Sequence, residues 1–127
     1  MHYIKRTNLS FQQACTALES AVIEHDFSVL GTHDLGEKLR SKGLEFTENC
    51  RVFEVCNPKQ AARVLAADMT MNMALPCRIS VYTEDGEVKI GMIRPKDMLA
   101  MLSNNPELSE VAEEVEQATM RMIDQAC

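Results

Sequence analysis

Hydrophobic and polar positions along the first third of the chain alternate first with a strand period and then with a helical one. Residues 1–7 alternate and predict a first strand. Ser10-Phe-Gln-Gln13 matches a capping box, in which the two end side chains each bind the backbone N–H of the other. The residues after it predict an amphipathic helix, because its apolar members recur every three or four positions: Phe11, Ala14, Cys15, Leu18, Ala21 and Val22.

The middle of the chain repeats the strand–helix alternation. A second strand is predicted from Phe27 to Gly31, followed by a short helix over Leu35–Ser41 that Asp34 would cap. A third strand covers Arg51–Val55. Asn57-Pro58 then predicts a helix start, because Asn is a good N-cap and Pro suits the first helical position; this helix extends to about Asp68.

The last part of the chain predicts a hairpin and two helices. Cys77–Thr83 alternates as a strand, Asp85-Gly86 is a strong hairpin turn, and Glu87–Ile93 is the returning strand. Short and long helices begin at Pro95 and Pro106, and the long one ends near Gln125. The apolar segment Met69–Leu75 fits neither period clearly.

These elements follow the order β-α-β-(α)-β-α-β-β-α-α over residues 1–127, which we interpret as one domain. The simplest packing is an α/β (α+β) two-layer sandwich with helices mainly on one face of a five-stranded sheet. The sheet is expected to be mixed, because a strand–helix–strand unit usually joins parallel strands.

The composition of the chain argues against some classes of partner. The chain carries 13 Lys and Arg against 19 Asp and Glu, a net charge of −6, which argues against nucleic acid and against anionic membranes as partners. It shows no apolar stretch of signal-peptide or membrane-spanning length. Its five cysteines are an odd number, which indicates free thiols in a reducing compartment and predicts a cytoplasmic protein.

Two cysteine motifs at element junctions resemble one protein family. The first is Val55-Cys56-Asn57-Pro58 followed by an Ala-rich helix, and the second is Leu75-Pro76-Cys77 followed by an acidic-Gly turn at Asp85-Gly86. The chain resembles the family called domain of unknown function 302 over nearly its whole length. The resemblance implies a small two-layer α/β fold, often dimeric, in bacterial cytoplasm, and it implies no established reaction.

Cys56 and Cys77, with Asn57 shaping the junction, are the candidate ligand-binding residues. A helix N-terminus stabilises a thiolate, so the start at Asn57-Pro58 is expected to lower the pKa of Cys56. The alternative is that both cysteines are small apolar fillers. A parallel arrangement would hold them on the order of 15–20 Å apart, unless Met69–Leu75 carries the chain back to the same edge of the sheet.

A soft metal ion is the candidate cofactor. Cys56 and Cys77 are possible ligands, and Met69, Met71 and Met73 would line one face if their segment were a strand. The alternative for the methionines is an adaptable apolar contact. Of the three histidines, His33 beside Asp34 is the best placed, although an exposed loop histidine is the more common case.

Three functions therefore stay open. The first is a small binding domain with a cysteine-based site for a soft metal or a thiol-reactive ligand. The second is a thiol enzyme of redox or sulfur-transfer type with Cys56 as nucleophile. The third is a structural or interaction module with cysteines in its core. The long final helix and the Met-rich segment also predict a homodimer.

Overall fold

The computed structural model describes residues 1–127 and contains five strands, five α-helices and one 3₁₀ helix. In chain order the elements are β1 (His2–Thr7), α1 (Phe11–Glu24), β2 (Ser28–Asp34), α2 (Leu35–Ser41), β3 (Cys50–Cys56), α3 (Pro58–Ala67), the 3₁₀ helix (Met69–Ala74), β4 (Cys77–Glu84), β5 (Glu87–Ile93), α4 (Pro95–Leu102) and α5 (Pro106–Ala126). The predicted α+β class with a five-stranded sheet is confirmed.

The sheet has the strand order β1-β5-β4-β3-β2, and every neighbouring pair is antiparallel. The expectation of a mixed sheet is therefore wrong. The reason lies in residues 57–76: after α3, the 3₁₀ helix returns the chain to the end of the sheet where β3 stopped, and Cys77 pairs with Val55. A return to the same end reverses the strand direction, so the unit is not a parallel crossover.

One face of the sheet carries the core. Register places Phe53 opposite Ile79 and Val81 opposite Ile90, and all four side chains are fully buried. Helices α1 and α5 cover this face, and α3 and α4 pack on α5. The apolar stripe of α5 is therefore buried within the chain, and no helix of the protein is long and apolar enough to cross a membrane.

The other face of the sheet has no helical layer, and we call it the open face. A row of side chains crosses it from β3 to β1, in the register Val52, Ser80, Gly91 and Ile4. A Cβ at Gly91 would lie 2.8 Å from Cγ1 of Ile4, so Ile4 packs directly over the glycine. Ile4 and Ile93 are 47% and 50% exposed on this face.

The backbone pairing between β4 and β5 stops before either strand ends. It runs from Glu84 opposite Glu87 at the turn to Ser80 opposite Gly91 and stops there. The next pairs in this register, Ile79 with Met92 and Arg78 with Ile93, are absent. On the outer sides of the two strands, pairing continues to Cys77 on β4 and to Ile93 on β5. The result is a gap inside the sheet.

A buried carboxylate positions the helix beside this gap. Glu116 of α5 is 2% exposed and accepts hydrogen bonds from the backbone N–H of Lys96, at 3.1 Å, and from Nη2 of Arg94, at 3.0 Å. Arg94 is the N-cap of α4 and provides no side-chain cap. Glu116 therefore supplies the negative group that a helix N-terminus favours, and it ties α4 to α5.

The contact between Gly91 and Ile4 leads to a stability prediction. Gly91→Ala should lower the free energy of unfolding by about 1–3 kcal/mol, because the added methyl overlaps Ile4. In an Ile4→Ala background the same change should cost less than about 1 kcal/mol, since the overlapping Cγ1 atom is gone. Urea unfolding of the four chains measures both values; an equal cost in the two backgrounds would contradict the packing described.

The predicted homodimer now needs a surface other than the stripe of α5. The exposed Ile4 and Ile93 make the open face the candidate. Light scattering at micromolar concentration should give twice the chain mass of 14.3 kDa, and Ile93→Glu should reduce it to one chain mass. Ile23→Glu, at an exposed position on α1, is the control that should stay dimeric. A wild-type protein of one chain mass would refute the prediction.

Candidate functional site

The gap between β4 and β5 opens into a cleft of about 620 Å³, within the size range of small-molecule sites. Its lining combines both faces of the sheet. Open-face residues in the lining are His2, Ile4, Val52, Arg78, Ser80, Tyr82, Gly91 and Ile93. The rest come from the helix-facing side, the helices and the 3₁₀ segment: Met73, Ala74, Leu75, Pro76, Cys77, Ile79, Met92, Pro95, Met98 and Thr119.

The inner wall of the cleft is apolar and well anchored. Met92 is 7% exposed and Ile79 is fully buried, and both belong to the core. Thr119 of α5 is also fully buried, and its hydroxyl donates to the carbonyl of Val115 at 2.8 Å, so that this polar side chain is satisfied. Met98 lies on α4, whose first turn is held by Glu116. The wall is therefore built from packed side chains rather than loops.

The one Arg of the lining, Arg78, lies at the mouth of the cleft with His2. Arg78 and His2 are both exposed, and neither makes a side-chain hydrogen bond or ion pair within the chain. Eighteen residues line the cleft, and none of them is Asp or Glu. This composition differs from that of the whole chain, in which acidic residues exceed basic ones by 19 to 13.

Cys77 is the one of the two predicted site cysteines that lines the cleft. Burial raises the pKa of its thiol to about 11, and the neighbouring Cys56 thiol adds to the rise. Burial also raises the pKa of Cys56, which does not line the cleft. The expected lowering of the Cys56 pKa by the helix start is therefore wrong in direction, because loss of solvent around the thiol outweighs the effect of the helix N-terminus.

The two motif cysteines lie at the same end of neighbouring strands. Cys77 is directly opposite Val55, at the Cα separation of about 4.5–5.5 Å usual for such pairs, so the expected separation of 15–20 Å is wrong. Register nevertheless directs their side chains apart. Cys77 shares the helix-facing side with Val55, whereas Cys56, one residue further, belongs to the open face. All five cysteines are free thiols.

Asn57 has a structural role at this junction. Its Oδ1 accepts from the backbone N–H of Gln60 at 3.1 Å, and its Nδ2 donates to the carbonyl of Asp26 at 3.2 Å. The predicted cap of α3 is confirmed, and both ends of the amide are occupied within the chain. Asn57 therefore fixes the path of the chain beside Cys56 and does not line the cleft.

The methionine segment is a 3₁₀ helix rather than a strand, so its three thioethers do not share a face. Met71 is 3% exposed and belongs to the core, while Met69 and Met73 are 66% and 81% exposed. Met73 alone of the three borders the cleft. The chain also holds no group of three or more His, Cys, Asp or Glu side chains arranged to bind a metal ion.

His33 pairs with an acid other than the one next to it in sequence. Its Nε2 lies 2.8 Å from Oε1 of Glu54 across the open face. Asp34 faces the other way, where it caps α2 by accepting from the N–H of Glu37 at 2.9 Å and pairs with Arg51 at 3.3 Å. The predicted cap is confirmed, and His33 is an exposed residue whose ring contacts Glu54 at the surface.

Most of the cleft was missed by sequence reasoning. The unrecognised residues include Arg78, Ser80, Gly91, Met92, Met98 and Thr119. One of them carried a signal, because a glycine inside a predicted strand often marks a place where another chain segment or a ligand approaches the backbone closely. Gly91 does lie under Ile4, at the point where the ladder opens.

The thiol pKa values predict slow alkylation. With a pKa of about 11, roughly one Cys77 thiol in 10⁴ is ionised at pH 7, about a hundredfold fewer than at an unperturbed thiol. The rate of iodoacetamide addition, followed by peptide mass spectrometry, should therefore rise steadily between pH 7 and pH 10 at both Cys56 and Cys77. A rate at Cys56 that levels off below about pH 8 would reveal an activated thiolate and contradict this prediction.

Comparison with known proteins agrees with the architecture. The family model described as Domain of unknown function DUF302 matches residues 3–126. The crystal structure of an uncharacterized conserved DUF302 protein from Bacillus stearothermophilus superposes with a TM-score of 0.94 at 35% sequence identity, covering 99% of this chain and 98% of that one. No curated protein matches the chain. The predicted family is thereby confirmed, and the chain belongs to the DUF302 family.

Proposed function

We propose that this DUF302 domain is a small-molecule binding module whose ligand occupies the cleft between β4 and β5. The observation that carries the proposal is the early end of the β4–β5 ladder at Ser80 and Gly91, which joins core residues and open-face residues in one cavity. Leaving backbone groups of β4 and β5 without each other as partners adds no stability to the sheet. A cavity of this size with an apolar wall and a few polar groups is the usual form of a ligand site.

Hydrophobic contact would supply most of the affinity. Burying about 200 Å² of apolar ligand surface against Ile79, Met92 and Met98 would contribute roughly 5 kcal/mol before the cost of association is subtracted. Apolar contact over this area alone therefore gives a dissociation constant no tighter than about 0.2 mM, and further affinity must come from polar groups or from a larger apolar body.

The cysteine part of the site is Cys77. Its thiol is protonated at neutral pH and presents a soft, polarisable surface to the ligand. A thiol-reactive ligand held in the cleft would lie beside this sulfur. A thiol enzyme that uses Cys56 has less support, because that thiol lies outside the cleft and burial raises its pKa.

Binding of a neutral apolar dye, N-phenyl-1-naphthylamine, tests the proposal. The dye's fluorescence should increase with saturation at one site per chain. Ser80→Trp should weaken binding at least about tenfold, because the indole fills the cleft where the two strands part. Ser28→Trp is the matched control: it places the same side chain on the open face of β2, two strands from the cleft, and should leave binding unchanged.

Circular dichroism of both tryptophan variants establishes that they are folded before dye is added. Saturable binding that is lost only in Ser80→Trp supports the proposal. Absence of saturable binding in the wild type, or equal binding in the wild type and a folded Ser80→Trp chain, would refute it.

A further inference from the structure

We infer that the ligand of the cleft is a monocarboxylate with an apolar body, whose acid group is held at the mouth by Arg78. This inference rests on the proposed function and adds the chemical class of the ligand. Its starting point is the charge of the lining, which contains Arg78 and His2 and no carboxylate in a chain of net charge −6. An acid-free cavity in an acidic protein is complementary to an anion.

Arg78 is the one Arg or Lys on the open face without a partner. The other two each have a carboxylate: Arg6 pairs with Glu87 at 3.1 Å, and Lys89 pairs with Glu84 at 2.9 Å. Register places Glu54 opposite Arg78, where a cross-strand ion pair would be expected.

The Glu54 carboxylate is used elsewhere. It lies 2.8 Å from Nε2 of His33 on the neighbouring strand. A side chain at position 31 would meet this carboxylate, because a Cβ at Gly31 would lie 2.9 Å from Oε1 of Glu54. Glycine at that position leaves Glu54 room to turn toward β2, away from Arg78. The guanidinium of Arg78 consequently keeps its donors free beside the cleft.

The position of Arg78 sets the orientation of the ligand. Arg78 lies two residues from Ser80 on the same face of β4. Because Ser80 and Gly91 form the last β4–β5 pair, Arg78 lies where the gap begins. Apolar Met92, Ile79 and Met98 form the wall behind it. A ligand would place its apolar body against that wall and its acid at the mouth, where the planar guanidinium can bind both carboxylate oxygens. His2, which pairs with Ile93 on β5, lines the same mouth.

A matched pair of ligands tests this assignment: decanoate and 1-decanol have the same chain length and differ in the charge of the head group. Calorimetric titration below the micelle concentration at pH 7.5 should show decanoate binding about fivefold more tightly to the wild type, a typical gain from one partly exposed ion pair. Arg78→Gln should abolish the preference and leave the affinity for 1-decanol within about twofold. Lys59→Gln, which removes an exposed and unpaired charge of α3, is the control and should keep the preference for decanoate over 1-decanol.

The possible outcomes distinguish a failure of the carboxylate assignment from a failure of the proposed binding function. Equal affinity for the two ligands in the wild type, with both excluded by Ser80→Trp, would overturn the inference while the binding module stands. A preference for decanoate that survives in Arg78→Gln would also overturn it. Binding of neither ligand would remove the proposed function and the inference together. Binding of either ligand only at dilutions where light scattering shows one chain mass would identify a second chain as the occupant of the open face and overturn the inference.

Discussion

The early end of pairing between β4 and β5 is the constraint on which the rest of the site depends. Each strand stays paired on its outer side, β4 with β3 as far as Cys77 and β5 with β1 as far as Ile93, while the pairing between β4 and β5 stops at Ser80 and Gly91. The gap connects the buried core to the open face. It explains why Met92, a core residue, and Ile4, an exposed one, line the same cavity.

The far wall of the gap is held by contacts among α4, α5 and the chain's first residue. The Glu116 carboxylate accepts hydrogen bonds from the backbone N–H of Lys96 and from the guanidinium of Arg94. A hydrogen bond to a charged group contributes about 1.5–3 kcal/mol to stability. The carbonyl of Met1 accepts from the N–H of Arg94 at 2.7 Å, and the Met1 ammonium lies 3.5 Å from Asp97. These contacts fix Pro95 and Met98 beside the opening without using any group of the cleft mouth.

Local signals in the sequence predicted the elements well, whereas long-range geometry could not be read from it. The capping box at Ser10 is present, and the Asp85-Gly86 turn has both residues at positive φ, 51° and 82°, as a tight hairpin requires. The predicted direction of β4 was wrong because Met69–Ala74 forms a 3₁₀ helix of six residues, which is too short for its three-residue period to be recognised in the sequence. Cys56 and Cys77 are neighbours in the sheet for that reason, yet only Cys77 borders the cleft. The cleft itself depends on where the β4–β5 ladder stops, and Gly91 is the one local signal in the sequence for that point.

The measurement that most directly tests the central claim is a set of intermolecular nuclear Overhauser effects between bound 1-decanol and a methyl-labelled chain. A ligand lying in the gap between the strands contacts both sides of the sheet at once. The account predicts cross-peaks from the ligand to the Met92 methyl on the helix side and to the Ile4 methyls on the open side, at one ligand per chain. Cross-peaks confined to the open face, or found only elsewhere on the surface, would contradict it.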